Sequence, residues 1–167
     1  EQREILKPIN EAVDHEKYDV AIQLINKEMQ SETKYVTWCL RKLASLYFIK
    51  EEYELARRIY EDVLSKRDIG WAHLGLGKVN IALGNYDEAI DGLSGLIKEH
   101  HNLIEAYDWL AEAQLKKEKP KDAQETLNSA VEISPLAILR QTKLAEVCIE
   151  NKDIEGASEA FRSTVKL

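Results

Sequence analysis

Long apolar runs, clustered cations and paired cysteines are all scarce in this chain of 167 residues, and each scarcity removes a class of protein. No apolar run reaches the ~18 residues that a membrane span needs. No charged, apolar and small-residue leader marks a secretory signal. Lys and Arg number 23 against 30 Asp and Glu, a net charge of −7, and the cations form no block. Nucleic acid and membrane surfaces are therefore not expected as partners. Only two cysteines occur, Cys39 and Cys148, far apart in the chain. They give neither a disulfide framework nor a zinc spacing. Both fall in helical sequence, so buried reduced thiols and a cytoplasmic location are expected. With 7 Gly and 3 Pro, helix breakers are few. The only Met is Met29 and the chain opens at Glu1, which reads as an excised piece of a longer protein.

What is present favours packed helices. Hydrophobic residues make up 44% and charged residues 32% of the chain, enough apolar matter for a core. The strongest signal is internal repetition. The stretch G-W-A-H-L-G-L-G-K-V-N-I-A-L-G-N-Y-D-E-A-I at 70–90 superposes on I-E-A-Y-D-W-L-A-E-A-Q-L-K-K-E-K-P-K-D-A-Q at 104–124 with a shift of 34 residues. The same frame continues at 138–158 and, backwards, at 37–57, with a degenerate first copy around Tyr18, Ala21 and Ile25. Such a period marks a helix-pair repeat.

The recurring residues have a steric logic. A small residue stands eighth in the repeat (Ala44, Gly77, Ala111, Ala145). Alanine stands twentieth every time (Ala21, Ala56, Ala89, Ala123, Ala157). Small side chains let the two helices of a pair approach, because interaxial distance depends on the residues at the contact. Leu43, Leu76, Leu110 and Leu144 at place seven, and Ile25, Tyr60, Leu93, Leu127 and Phe161 at place twenty-four, fill the space around them. Helices are expected over 3–14, 18–30, 35–49, 53–65, 70–83, 86–99, 103–117, 120–132, 136–150 and 154–166. Gly84 suits a left-handed cap. Pro120 and Pro135 suit helix starts, and Ser134-Pro135 closes the fourth repeat. Pro8 falls inside the first helix, where Ile9 replaces the small residue, so that helix is expected to be short, kinked or frayed.

This pattern resembles the tetratricopeptide (TPR) repeat family, and the resemblance runs over nearly the whole chain. It implies an all-α, right-handed α-solenoid of about five repeats, bounded near 2–36, 37–69, 70–103, 104–137 and 138–167, forming one domain. It also implies a protein-binding array that catalyses nothing and carries no cofactor. In that family the first helices of the repeats line a concave face, chiefly through their second, fifth, ninth and twelfth residues. Carried over, these are Trp38, Arg41, Ser45 and Phe48; Trp71, Leu74, Lys78 and Ile81; Glu105, Asp108, Glu112 and Leu115; Leu139, Thr142, Glu146 and Ile149. The groove so drawn has two tones, aromatic and cationic first, acidic second. It would suit a helix or extended peptide with an apolar, partly acidic portion followed by a basic one. The alternative is that Trp38 and Trp71 pack between repeats and only the charges are exposed. The Lys and Asn that hold a peptide carboxylate in chaperone-binding members are not reproduced: the ninth places read Ser45, Lys78, Glu112 and Glu146.

Three stretches, W-A-H-L-G-L-G-K at 71–78, E-A-Y-D-W-L-A at 105–111 and S-P-L-A-I-L-R-Q at 134–141, are similar to the helical output region of bacterial response regulators that join a receiver domain to such repeats, VieB-like proteins among them. That resemblance implies a two-component signalling role, a signalling protein as partner, and control by phosphorylation of a receiver outside this chain. The competing reading is an assembly scaffold or co-chaperone without receiver control.

Other motifs read as structural. G-L-G-K at 75–78 is no phosphate loop, because Ala72 and Val79 occupy positions that need Gly and Ser or Thr. His100 and His101 are adjacent and cannot face one another on a helix, so no metal site is expected. His73 is expected in a core or between repeats. Glu105, Asp108 and Glu112 share a helix face, read as solvated or peptide-binding. The last pair carries Leu139, Val147, Phe161 and Val165, and terminal repeats need a solvated outer face. Either a further helix or an intermolecular contact, including a homodimer, is expected there.

Overall fold

A computed structural model describes residues 2–31 and 33–165, with side chains from residue 4 onward except that of residue 5. The described residues form ten helices and no strand. They are α1 (Gln2–Asp14), α2 (Tyr18–Gln30), α3 (Val36–Ile49), α4 (Tyr53–Lys66), α5 (Gly70–Ala82), α6 (Tyr86–Glu99), α7 (Ile104–Lys116), α8 (Pro120–Ile133), α9 (Ile138–Glu150) and α10 (Ile154–Val165). Each expected helix is present, with ends within two residues of the sequence reading. Residue 166, placed in the last helix by that reading, lies outside the described residues.

Five pairs result, and one turn joins the members of each pair. At place fifteen the backbone enters the left-handed region: Glu16 (φ 56°), Glu51 (61°), Gly84 (81°), Glu118 (58°) and Lys152 (62°). The next residue donates its N–H five residues back, Lys17 to Ala12, Glu52 to Tyr47, Asn85 to Asn80, Lys119 to Gln114 and Asp153 to Cys148, at 2.8–2.9 Å. These bonds satisfy carbonyls that the helix end leaves open. The sequence pointed to this conformation only at Gly84; four charged residues adopt it as well. The first repeat shares the turn.

Pro8 does not shorten α1, which runs 13 residues through it. Of the short, kinked or frayed helix expected there, the short alternative is corrected. Pro8 is exposed, while Leu6, Ile9 and Ala12 of the same helix are buried. Burial of that face outweighs the loss of one hydrogen bond.

Contacts divide the chain into two compact units, Glu1–Val79 and Asn80–Leu167. In the first, Leu6, Ile9 and Ala12 of α1, Ala21, Ile22 and Ile25 of α2, and Cys39, Leu43 and Leu46 of α3 form one buried cluster, with Trp38 and Tyr18 packed against it. In the second, Ala111, Ala123, Leu127, Leu144, Ala145, Val147, Cys148, Ala157 and Ala160 do the same. The place-twenty alanines are 0% exposed at Ala21, Ala56, Ala89 and Ala123, and 5% at Ala157. Val147 is buried rather than part of an uncovered surface, whereas Phe161 is 41% exposed and does not fill a core position.

Polar contacts fix the last pair. Asp153 Oδ1 accepts the Gly156 N–H at 2.9 Å, capping α10, and Asp153 Oδ2 accepts from Gln124 Nε2 at 2.6 Å. Asn151 Nδ2 donates to Gln124 Oε1 (2.7 Å) and to the Pro120 carbonyl (2.8 Å). The Gly156 N–H and then Gln124 hold the Asp153 carboxyl below its ordinary range. Lys117, 2.6 Å away, does the same for Asp87. A carboxyl with a depressed folded pKa stabilises above its unfolded value and loses that contribution as pH falls through the folded one. Wild type should therefore lose thermal stability below about pH 4, where these groups take up protons. The Asp87→Asn, Asp153→Asn double variant should show a flatter melting temperature between about pH 5 and pH 2, followed by circular dichroism. Equal slopes in the two proteins would refute this.

Candidate functional site

Within the first unit, Arg41 is the expected groove residue that approaches Trp71. Its ring meets Tyr60 edge-on, centroids 6.0 Å apart at 63°, and the Arg41 guanidinium lies 5.9 Å from its centroid. Tyr60 is 6% exposed, and burial raises its hydroxyl pKa despite the opposing effect of Arg41. Next to them Gly75 is buried where a Cβ would overlap the Tyr60 ring. The glycines of G-L-G-K thus include one required by helix packing, as the sequence suggested.

Trp38 and Trp71 are both half-buried. Trp38 packs against the first buried cluster and Trp71 against Tyr60, and both keep part of their surface exposed. Arg41 is exposed above Trp71, a cation–π arrangement that holds the guanidinium in place. Phe48 is half-buried against Tyr53, centroids 5.4 Å apart. The Ser45 hydroxyl donates to the Lys42 carbonyl at 2.8 Å. Lys78 is half-buried. Leu74 and Ile81 are corrections. They are 8% and 9% exposed and offer almost no surface, because an apolar side chain at those places gains more from burial than from water.

In the second unit the expected acidic half is largely neutralised from within. Asp108 accepts two bonds from Arg140, Nε to Oδ1 and Nη2 to Oδ2, both 2.7 Å. Glu112 sits 3.8 Å from Lys116 and 3.7 Å from Lys143. Arg140 and Lys143 stand third and sixth on α9, outside the second, fifth, ninth and twelfth places expected to line the groove. Their spacing of about 32 residues from the acids was the available signal. A forked guanidinium matches a carboxylate, and the pair raises the Arg140 pKa through the Asp108 hydrogen bonds. Glu105 and Glu146 are exposed, and Thr142 donates to the Ile138 carbonyl at 3.0 Å. Replacing Asp108 with alanine should destabilise by about 1–2 kcal/mol, less than a fully buried pair because the carboxylate side is 42% exposed. Urea denaturation measures it, and Asp108→Asn should recover part of the loss.

Of the two places expected for His73, the core is corrected: its Nε2 lies 2.6 Å from Oδ1 of Asp68, a residue of the preceding repeat, at a partly exposed site. His100 and His101 are exposed at the end of α6. Among the described residues no three His, Cys, Asp or Glu side chains are grouped to hold a metal ion. No helix of the described residues is long and apolar enough to cross a membrane. Cys39 and Cys148 are buried free thiols, with pKa values raised first by burial. Low thiolate content leaves them poor nucleophiles.

Two consecutive stretches, residues 71–102 and 104–135, match family models of the tetratricopeptide repeat. Residues 71–135 thus carry two tetratricopeptide repeats. No curated protein matches it by sequence. Among solved structures it is similar to MamA, residues 41 to the end, from Desulfovibrio magneticus RS-1, at 18% identity and a TM-score of 0.82, over 99% of this chain and 93% of that one. A tetratricopeptide repeat protein from Parabacteroides merdae ATCC 43184 is 14% identical with a TM-score of 0.78, over 98% of this chain and 65% of that one. YrrB, described as a TPR protein with an unusual peptide-binding site, is 16% identical with a TM-score of 0.70, over 97% and 84%. These likenesses show the fold, an all-helical tetratricopeptide solenoid.

Proposed function

We propose that this chain is a protein–protein interaction module that holds a partner protein or peptide on the first helices of its repeats. The observation that carries this is the half-buried Trp71 under the exposed Arg41 guanidinium, with a second half-buried tryptophan, Trp38, on the same helix as Arg41. Rings and guanidinium groups of this kind are favoured anchors, because they add contact area at low entropic cost. The internal pairing of Asp108 and Glu112 shifts the preferred ligand. Apolar and aromatic contacts over the first unit therefore carry the reading. YrrB, as a repeat protein with a peptide site, supports the general reading.

The signalling context is part of the proposal. The stretches at 71–78, 105–111 and 134–141 favour an output region controlled by a receiver domain, acting inside the cell on a signalling partner. A full-length gene without a receiver would refute that context and leave an assembly scaffold.

The binding test is affinity capture on the full chain, then titration of the captured protein in purified form. Trp38→Ala with Arg41→Ala should weaken binding at least ~10-fold while the melting curve keeps one transition. Undiminished binding by that double variant would remove the groove from consideration.

A further inference from the structure

Helix α9 packs on both α8 and α10. These three helices enclose a cavity of about 350 Å³ in the second unit. That volume lies in the range of small-ligand sites, roughly 300–1,000 Å³. Its lining includes three carboxylates, Glu132, Asp153 and Glu159, and no Lys, Arg or His. Glu132 and Glu159 are exposed and have no ion-pair partner among the described residues. Gln141 also lines the cavity and is only 4% exposed. Its Nε2 donates to the Pro135 carbonyl at 3.2 Å, which leaves Oε1 as an acceptor without a partner among the described residues. A buried amide oxygen left open in this way calls for a donor.

The preceding repeat interface of the same unit is the natural control. One period earlier, Tyr107 stands at the place of Gln141 and Ile90 at that of Gln124. Lys98 and Lys119 stand at the places of Glu132 and Asp153. Tyr107 is 8% exposed, a core residue. The places that carry bulk and two cations between the third and fourth repeats thus carry amides and two acids between the fourth and fifth. Volume and sign change together, at places where the repeat pattern alone requires neither.

The acids are spread rather than gathered. Asp153 accepts from Gln124 near the start of α8, and Glu132 stands near its end, about 12 Å further along the axis. A compact metal ion is held by grouped ligands, and among the described residues no such group exists. Val131, Leu144 and Ala160 add apolar lining. Negative charge at intervals beside apolar surface matches a methylene chain that carries several ammonium groups.

We propose that this cavity binds a linear aliphatic polyamine. Its ammonium groups meet Glu132, Glu159 and Asp153, its methylenes lie against Val131 and Leu144, and Gln141 Oε1 accepts one hydrogen bond. The site belongs chiefly to second helices, whereas the partner groove belongs to first helices.

The probe is spermidine, titrated into the full chain by calorimetry at about 0.15 M salt, where diffuse surface attraction is screened. Saturable binding is expected. Glu132→Lys should weaken it at least ~10-fold and leave the melting temperature unchanged, because Glu132 is exposed. Gln141→Tyr should abolish it by filling the cavity. Glu99→Lys makes the same change of net charge at an exposed residue outside the cavity, and should leave binding unchanged. Should Gln141→Tyr fail to fold, Glu132→Lys against Glu99→Lys decides. Absence of saturable binding, equal weakening by Glu132→Lys and Glu99→Lys, or binding indifferent to a folded Gln141→Tyr overturns the proposal. So does full displacement of spermidine by magnesium at equal ionic strength. Tighter binding of a trilysine peptide than of spermidine would assign the cavity to a basic protein segment, and overturns it equally.

Discussion

Replacing Gly75 with alanine should destabilise the chain by about 2 kcal/mol, although alanine is the better helix former by about 1 kcal/mol. The added methyl would occupy the volume of the Tyr60 ring, which is 6% exposed and also held against Trp71. A ring cannot yield as the tip of a flexible chain can, so Tyr60 must move and disturb Trp71 and the Arg41 above it. The sequence suggests the rescue. Place twenty-four is Leu in the third and fourth repeats, and the following place six is then larger, Trp109 after Leu93 and Lys143 after Leu127. Tyr60→Leu should therefore recover most of the loss when combined with Gly75→Ala. Chemical denaturation of the wild type, the two single variants and the double variant gives the coupling energy. Additive losses would mean that the ring and the glycine do not share that space.

The opposite effect is expected in the turns. Glu51, Glu118 and Lys152 hold φ near +60° with side chains that pay for it sterically, whereas Gly84 holds the same turn without a Cβ. The left-handed conformation costs a side-chain-bearing residue about 1–2 kcal/mol. Glycine relieves that cost but adds about 0.4–1 kcal/mol of unfolded-state entropy. Each change to glycine should net about 0.5–1 kcal/mol, and the three sites lie in separate turns, so the triple variant should gain about 2 kcal/mol. In a chain of this size that raises the melting temperature by about 4–8 °C. Gly84→Val should lose about 1–2 kcal/mol, with no clash involved, since nothing lies within 4 Å of a Cβ built there. A triple variant no more stable than wild type would show that side-chain contacts of these residues offset the strain.

The response to pH follows a different logic from either. Asp153 and Asp87 act through capping and pairing at turns, and their contribution disappears only when they take up protons.

The sequence by itself determined the architecture. Alanine at one register five times requires helix pairs in close contact, and the structure buries every one of these residues. Helix ends were legible because the short turns and the onset of each apolar period coincide. Tertiary structure alone decided the site's electrostatics. Asp108 and Glu112 read as free acids on one face, yet cations from the next helix reach them. Charge in sequence is a property of a residue, while its availability depends on neighbours about a repeat away. The same holds for Leu74, buried although its register is that of surface residues, and for Phe161, exposed although its register is that of the core. A repeating chain specifies equivalent positions, but whether a neighbour covers each one is settled by burial of surface, which only the assembled helices define.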